Sequence, residues 1–200
     1  MAISAEEVRK LRERTGQGMM ECKKALEESG GNAEKAVEIL RKKGLATAEK
    51  KSGRATAQGR IASYVHHNGR VGVMLEVNCE TDFVAKNEQF QAFLNDLCLH
   101  ICALSPLALQ REEIPADLVE REKRIAREQV AGKKPDNVIE KIVEGKVNKW
   151  YADHVLLEQP FVKDQERSVQ SVLKEMVSKI GENIVIRRFA RFEVGETATE

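Results

Sequence analysis

The sequence predicts an α+β fold in which an N-terminal bundle of three short helices is joined by a linker to a core. In that core, an antiparallel three-stranded sheet packs with helices and a helical hairpin. Three observations carry this prediction. The first 45 residues hold three short amphipathic segments, an Asn-Gly pair at 68–69 separates two alternating runs, and a third alternating run, "NIVIRRFARFEV", begins at Asn183.

The composition bounds the kind of protein. The 200 residues are 42% hydrophobic, which is enough for a buried core, and 33 basic residues nearly balance 32 acidic ones. Because this balance lacks the basic field of nucleic-acid binders, we expect no specific nucleic-acid partner. The N-terminal stretch lacks the apolar run of a signal peptide, and no segment is apolar over a bilayer-spanning length, so we expect a cytoplasmic protein without membrane contact.

The N-terminal segment predicts three helices within residues 1–45. Ser4 and Glu7 form a capping-box pattern for the first helix, "TGQG" interrupts the chain before the second, and Asn32 caps the third. Helices this short are not stable alone, so their apolar faces must pack together. The residues assigned to these faces are Val8, Leu11, Met19, Cys22, Leu26, Ala36, Val37 and Leu40.

Two adjacent methionines allow two interpretations. Met19 and Met20 point about 100° apart on a helix, so both cannot lie at the centre of one apolar stripe. The second methionine either pads the rim of the small core or belongs to a docking surface with Arg12 and Arg14 at its edge.

Residues 46–60 are rich in Ala, Lys, Gly, Ser and Thr without apolar periodicity, which predicts a hinge or a semi-helical linker. Residues 61–200 then form the α+β core. Its first two strands flank Asn68-Gly69, a signal for a two-residue type I′ turn that pairs His67 with Arg70. This register places six residues on one buried face: Ala62, Tyr64, Val71, Val73, Leu75 and Val77.

The segment "NCETDFVAKN" at 78–87 connects the second strand to a helix with an apolar stripe from Phe90 to Ile101. Thr81 or Asp82 can cap the incoming turn, and Asn87 is a second capping candidate. Phe83 lies seven positions before Phe90, so spacing alone leaves open whether it joins the core or is exposed.

The remaining chain predicts a charged helical hairpin, an insertion at about 112–165 whose first helix stops at Gly132. Ser168 then caps a helix that ends at Gly181, and the alternating run adds a third strand. Cys98 and Cys102 flank His100 with a spacing unlike a zinc knuckle, so buried thiols are favoured over a metal. His66 is interpreted as a partly covered structural histidine.

Five stretches carry a resemblance that covers essentially the full chain. They are "RTGQGMMECKKAL" at 14–26, "GGNAEKAVEILRKKG" at 30–44, "EVNCETDFVAKNEQF" at 76–90, "KPDNVIEKIVEGKVNKWY" at 134–151 and "LLEQPFVKD" at 156–164. In this order they resemble the bacterial elongation factor Ts family, in its short form. The resemblance implies a ubiquitin-associated-like N-terminal domain at 1–45 and a core that also serves dimerisation.

The resemblance also implies a function. A member of this family is a guanine-nucleotide exchange factor for elongation factor Tu and not an enzyme; it needs no cofactor or metal and binds no nucleotide itself. It implies an exchange loop of Thr81, Asp82, Phe83 and Val84, in which the phenylalanine wedges into the partner and the acid disturbs the magnesium and phosphate site. It further implies that Arg12, Met19 and Met20 dock on the partner's nucleotide domain, while the roles of His154 and residues 156–164 stay open.

Short relatives imply a homodimer that pairs through core sheets, for which "IVIRRFARFEV" offers an apolar edge. An RNA- or ribosome-associated adaptor without exchange activity is the alternative function, with Lys50, Lys51, Arg54 and Arg60 of the linker as its phosphate contacts. A hydrolase built on Asp82, Glu80 and the histidines lacks a recognisable nucleophile motif.

Overall fold

The computed structural model describes residues 3–130 and 135–196, and it confirms the predicted α+β class. A short 3₁₀ turn, Arg111–Glu113, lies between the fifth and sixth helices. The elements in chain order are α1 (Ala5–Thr15), α2 (Met19–Glu28), α3 (Ala33–Lys51), β1 (Gln58–Val65), β2 (Val71–Cys79), α4 (Asp82–Ala85), α5 (Glu88–Leu104), α6 (Ala116–Glu128), α7 (Asp136–His154), β3 (Pro160–Phe161), β4 (Asp164–Ser168), α8 (Val169–Ile180) and β5 (Ile184–Glu193).

The three N-terminal helices form with the predicted caps. Ser4 and Glu7 make the reciprocal capping box of α1, and the Asn32 side chain accepts from Lys35 N–H at 3.0 Å at the start of α3. The helices enclose one apolar cluster. Its buried members are Val8, Leu11, Cys22, Ala25, Leu26, Ala36 and Leu40.

Helix α3 continues past Gly44 to Lys51, and Ala48 in this continuation is buried. The first part of the predicted linker is therefore helical, and only residues 52–57 connect α3 to β1. The division into domains at 1–45, 46–60 and 61–200 stays a prediction.

The sheet is antiparallel with strand order β1-β2-β5. The His66 N–H donates to Val71 O at 2.8 Å, which agrees with the predicted register beyond the turn. The type I′ turn is wrong: such a turn needs positive φ at Asn68, and Asn68 does not have it. Instead, Gly69 N–H donates to His66 O, Gly69 has a φ of 67°, and the Asn68 side chain accepts from Arg70 N–H. Gly69 alone supplies the left-handed residue of a longer loop.

The two faces of the sheet differ in exposure. Val73, Leu75 and Val77 of β2 are buried, and Ala62, Tyr64 and Val71 are half-buried, so the predicted apolar face is confirmed. The opposite face carries exposed apolar side chains. They are Ile61, Val65, Met74 and Phe192.

The charged hairpin consists of α6 and α7, which pack around buried Ala126, Val143 and Val147. Gly132, the predicted end of its first helix, lies outside the described residues. The small antiparallel sheet of β3 and β4 follows and was not predicted; it pairs Pro160 with Ser168 and Phe161 with Asp164. Helix α8 begins after Ser168 as predicted and ends before Gly181, whose φ is 85°.

The chain forms two compact units, each assembled from segments that are separated in sequence. One unit combines the N-terminal segment through Arg60 with Val77–Ala92 and Ser171–Val185; the other combines Ile61–Glu76 and Phe93–Gln170 with the chain from Ile186 onward. The N-terminal helices, α4 and most of α8 therefore belong to the same unit. Within 3–130 and 135–196, no helix has the length and apolar content that crossing a membrane requires.

Candidate functional site

The loop after β2 is held at Thr81. The Thr81 backbone N–H and hydroxyl donate to the two carboxylate oxygens of Glu182, at 3.0 and 2.7 Å. The Cys79 thiol donates to Thr81 O at 3.1 Å. Burial raises the pKa of the Cys79 thiol, and the negative charge of Glu182 raises it further, so the thiol keeps the proton it donates.

Glu80, the residue before Thr81, is a hydrogen-bond acceptor for the segment that follows α8, whereas Thr81 is a donor to it. Asn183 N–H donates to the Glu80 carboxylate at 2.6 Å, and the buried Asn183 side chain donates to the backbone oxygens of Ser52 and Arg54. The hydrogen bond from Asn183 N–H, aided by the positive charge of Arg54, lowers the pKa of Glu80. Segments 80–81 and 182–183 thus each supply a carboxylate to the other.

Helix α4 is a single turn that presents Asp82 and Phe83. Lys86 donates to the Asp82 carboxylate at 2.7 Å, and this hydrogen bond lowers the pKa of Asp82. Asp82 is therefore an anion at neutral pH. Thr81 occupies the N-cap position of α4 but makes no side-chain capping bond, and its hydroxyl donates to Glu182. Asn87 caps α5 instead, accepting from Gln89 and Phe90 N–H.

Phe83 exposes 81% of its surface, whereas the next residue, Val84, is 8% exposed. The structure decides the alternative that spacing left open, since Phe83 is not part of the core and Phe90 is fully buried. The buried Val84 side chain anchors the turn of α4. The arrangement leaves an anionic and an aromatic side chain exposed at adjacent positions of α4.

Met19 and Met20 are 43% and 63% exposed, and Arg12 is exposed on α1. The assignment of Met19 to the buried stripe is wrong, since Cys22 on the same helix is buried but Met19 is not. Thr15 Oγ1 at the end of α1 and the backbone oxygen of Gln17 lie 3.7 and 3.8 Å from the Cys22 sulfur. Both thioethers are thus free for contacts with another molecule.

The N-terminal helices contact α8 within their unit. The Ser178 hydroxyl donates to the Gln17 side chain at 3.4 Å, and Gly44 of α3 faces Ser178 so closely that an added Cβ would lie 3.0 Å from its oxygen. Lys51 donates to Gly181 O at the end of α8. Helix α8 and the residues after it therefore contact both the N-terminal helices and the loop at Thr81.

His100 is fully buried in a hydrogen-bonded network and does not form a metal site with the nearby cysteines. Its Nδ1 accepts from Val162 N–H at 3.1 Å, so Nε2 carries the proton and donates to Gln159 at 3.0 Å. Burial lowers the pKa of His100 and raises that of Cys98 to about 11. Among the residues that the structure describes, no group of three or more His, Cys, Asp or Glu side chains could hold a metal ion.

His154 and residues 156–164 belong largely to the packing of the core. The His154 ring stacks on Trp150 at 4.8 Å, and Leu156, Gln159 and Phe161 are buried. His66 is half-buried and within 3.1 Å of the Tyr64 hydroxyl, as expected for a structural histidine.

Glu80, Glu182 and Asn183 were not predicted as site residues. The contact between Thr81 and Glu182 spans 101 positions, and no spacing or motif in one sequence links residues so far apart. Their only signal is the polar pair Glu182-Asn183 directly after the glycine that ends a helix.

The fold and the loop define a protein whose candidate site is an exposed surface turn on an α+β scaffold. The family described as Elongation factor TS matches residues 10–196. Elongation factor Ts of Geotalea uraniireducens is 59% identical over 98% of this chain and 91% of its own length. The proteins of that name from Thermodesulfovibrio yellowstonii and Fervidobacterium nodosum are 54% and 55% identical, over 100% and 98% of this chain and all of their own length.

The chain belongs to the elongation factor Ts family. Its role is accordingly that of a factor in the elongation phase of translation.

Proposed function

We propose that this chain is a guanine-nucleotide exchange factor for elongation factor Tu. It binds the GDP complex, promotes release of GDP, and is displaced when GTP binds. The observation that carries the proposal is Phe83, an aromatic side chain with 81% of its surface exposed beside an ionised Asp82 in a protein of this family. A soluble fold gains nothing for its own stability from a phenylalanine in water, so its use lies in contact with another molecule.

Phe83 acts as a wedge. Burying a phenylalanine side chain in a partner releases about 1.5–3 kcal/mol, which is available to displace the partner's own side chains near its nucleotide. Asp82 adds a negative charge that opposes phosphate and competes for the metal shell. Mg²⁺ tolerates little departure from octahedral geometry, so a small displacement of its ligands weakens GDP binding.

Exchange follows from linkage and requires no bond to be made or broken by this chain. If this chain binds the nucleotide-free partner more tightly than it binds the nucleotide-bound partner, its binding weakens the partner's affinity for nucleotide. Bound nucleotide then weakens the partner's affinity for this chain by the same ratio. The nucleotide and its metal belong to the partner, and the chain therefore works without cofactor or bound nucleotide of its own. We place this cycle in the cytoplasm, with elongation factor Tu.

The N-terminal helices supply the initial contact. Arg12, Met19 and Met20 are exposed on α1 and α2, and flexible thioethers adapt to an irregular partner surface. We propose that this surface docks on the nucleotide domain of the partner. It belongs to the same compact unit as the exchange loop.

A second copy of the chain is the partner proposed for the outer face of the sheet. The exposed apolar side chains of this face expose from 51% to 67% of their surface: Ile61, Val65, Met74 and Phe192. Glu76 and Arg188 form an ion pair at 2.7 Å beside Met74 and supply a polar rim. A two-fold axis would cover both apolar faces at once.

Release of a fluorescent GDP analogue from purified elongation factor Tu tests the exchange function. The full chain at catalytic concentration is expected to accelerate release, and Phe83→Ala is expected to remove most of this acceleration while remaining folded. Equal acceleration by both proteins would keep the exchange function and reject the wedge. Absence of acceleration by the full chain would reject the exchange function and favour an adaptor, which steeply salt-dependent binding to RNA would then identify.

A further inference from the structure

The orientation of Phe83 depends on very little local structure. Helix α4 has four residues, and a helix of one turn is not stable by itself. Two contacts hold it to the rest of its unit. The Val84 side chain is buried, and Thr81, directly before the helix, donates two hydrogen bonds to Glu182. Phe83 contributes nothing to this anchoring, because most of its surface is exposed.

The Thr81 side chain does not make the capping hydrogen bond that is usual at the N-cap position. A threonine at this position ordinarily accepts a hydrogen bond from the helix with its side-chain oxygen, yet here its hydroxyl donates to Glu182 and makes no capping bond. The backbone N–H donates to the other oxygen of the same carboxylate. One carboxylate therefore fixes both the backbone and the side chain at the entry to α4.

Glu182 is itself held in place. Gly181, with a φ of 85°, ends α8 directly before it, and the next residue, Asn183, donates to Glu80, Ser52 and Arg54. Hydrogen bonds at Gly181 and Asn183, on both sides of Glu182, thus fix the backbone of the residue whose carboxylate holds Thr81. These groups all belong to the unit that contains the N-terminal helices.

We propose that Glu182 is a positioning residue for nucleotide exchange, which acts by holding Thr81 so that α4 presents Phe83 and Asp82 to the partner. This inference rests on the exchange function proposed above. Glu182 does not touch the partner's nucleotide in this scheme; it sets the direction of the residues that do.

Glu182→Gln tests the inference with nearly unchanged side-chain shape. Glutamine has one acceptor oxygen and no charge, so the charged acceptor is lost and one Thr81 donor must either lose its partner or, at the hydroxyl, accept from the amide instead. We expect GDP release at limiting factor concentration to fall about tenfold, the rate change that corresponds to one hydrogen bond to a charged group. Glu166→Gln removes the same charge from an exposed position on β4 and is expected to keep the rate of the unsubstituted chain.

A pair at Thr81 approaches the same contact from the other side. Thr81→Val removes the hydroxyl at constant shape, whereas Thr81→Ser keeps it. We expect Thr81→Val to lower the release rate more than Thr81→Ser does, because only serine keeps the hydroxyl that donates to Glu182. Thermal unfolding of each variant shows that the comparison is made between folded proteins.

A double variant separates positioning from general weakening of the fold. If Glu182 acts through Phe83 and Asp82, then adding Glu182→Gln to Phe83→Ala lowers the release rate by much less than Glu182→Gln lowers it in the unsubstituted chain, measured with enough factor for the rate to exceed spontaneous release. A further tenfold loss in the double variant would overturn the inference, as would full activity of both Glu182→Gln and Thr81→Val. In both cases the unsubstituted chain still accelerates release, so the exchange function survives. A chain that accelerates nothing rejects the exchange function itself.

Discussion

Phe83 and Phe90 lie seven positions apart and have opposite surroundings, since Phe83 is 81% exposed and Phe90 is 0% exposed. Between them, Asn87 ends one helical segment and caps the next, with its side chain accepting from Gln89 and Phe90 N–H. The interruption rotates α5 relative to α4, so the helical spacing from 83 to 90 does not correspond to one continuous face. The same type of side chain is therefore exposed at one position and packed in the core at the other.

The two phenylalanines are expected to differ sharply in their contribution to stability. Phe83→Ala should change the free energy of unfolding by less than about 0.5 kcal/mol, since an exposed side chain loses no packing. Phe90→Ala should lower it by about 3–5 kcal/mol because it opens a cavity in the core. Urea unfolding at a fixed protein concentration measures both. A large loss in Phe83→Ala would mean that its ring packs in solution.

Asp82 is expected to titrate below its ordinary range because Lys86 donates to it. In Lys86→Gln the pKa of Asp82 should rise towards the ordinary value, as followed by NMR of the carboxyl carbon. The pKa of Asp82 is lowered in the folded state, so its contribution to stability is present above the unfolded pKa and is lost as pH falls through the folded pKa. Lys123→Gln, which removes the partner of Glu120 on α6, is the control. An unchanged pKa of Asp82 in Lys86→Gln would contradict the assigned cause.

Residue-level prediction from the sequence succeeded where chemistry is local. The Ser4 capping box, the Asn32 cap and the Asn87 cap were all predicted from side chains within three positions of their partners. The exposure of Phe83 could not be predicted from periodicity, because it depends on where a helix stops and on the contacts of Thr81 with a distant carboxylate.

At the scale of elements, the packing of α3 on α8 depends on a missing side chain. Gly44 lies within α3, and a Cβ there would come within 3.0 Å of the Ser178 oxygen. The close approach brings the continuous helix from Ala33 to Lys51 against α8, which also contacts Gln17 through Ser178. The helix therefore joins the N-terminal helices to the rest of their unit.

Gly44→Leu is expected to lower the free energy of unfolding by about 1–3 kcal/mol, because a large side chain must separate the two helices. The same substitution at Gly145 of α7, which has no atoms within 4 Å of an added Cβ, should raise it by somewhat under 1 kcal/mol through helix propensity. Thermal unfolding of the two variants measures the difference. Equal effects at both positions would show that α3 and α8 do not pack closely.

The hairpin of β1 and β2 separates what alternation predicts from what it does not. The alternation of apolar residues in the sequence predicted the inward face, because one face of the sheet must be apolar. The burial of Val73, Leu75 and Val77 confirms it. The turn type followed different chemistry: Gly69 accepts the left-handed conformation, and the Asn68 side chain binds Arg70 N–H instead of adopting a positive φ itself. Register and turn type are thus separate predictions.

At the scale of the whole molecule, the exposed sheet face is the feature that a single chain leaves uncovered. Phe192 and Val65 are 66% and 67% exposed on strands that also supply the inward apolar face. A sheet that is apolar on both sides needs a cover on each, which is the physical reason for the proposed dimer.

Phe192→Asp is expected to convert the dimer into a monomer, because it places two charges against an apolar surface across the two-fold axis. Light scattering at micromolar concentration should then report half the mass found for the unsubstituted chain. Val138→Asp introduces the same charge at an exposed apolar position of α7 and should leave the mass unchanged. A monomeric mass for the unsubstituted chain would reject the dimer.

The hydrogen bonds between Thr81 and Glu182 join positions 101 residues apart. A ribosome adds roughly 5–20 residues each second, so Thr81 is made about 5–20 s before its acceptor exists. During that interval the N-terminal helices already have all the residues of their own apolar cluster, while the turn that carries Phe83 has no carboxylate to hold it. Under the proposed role of Glu182, the turn that carries Phe83 is therefore positioned only well after the first helices can form.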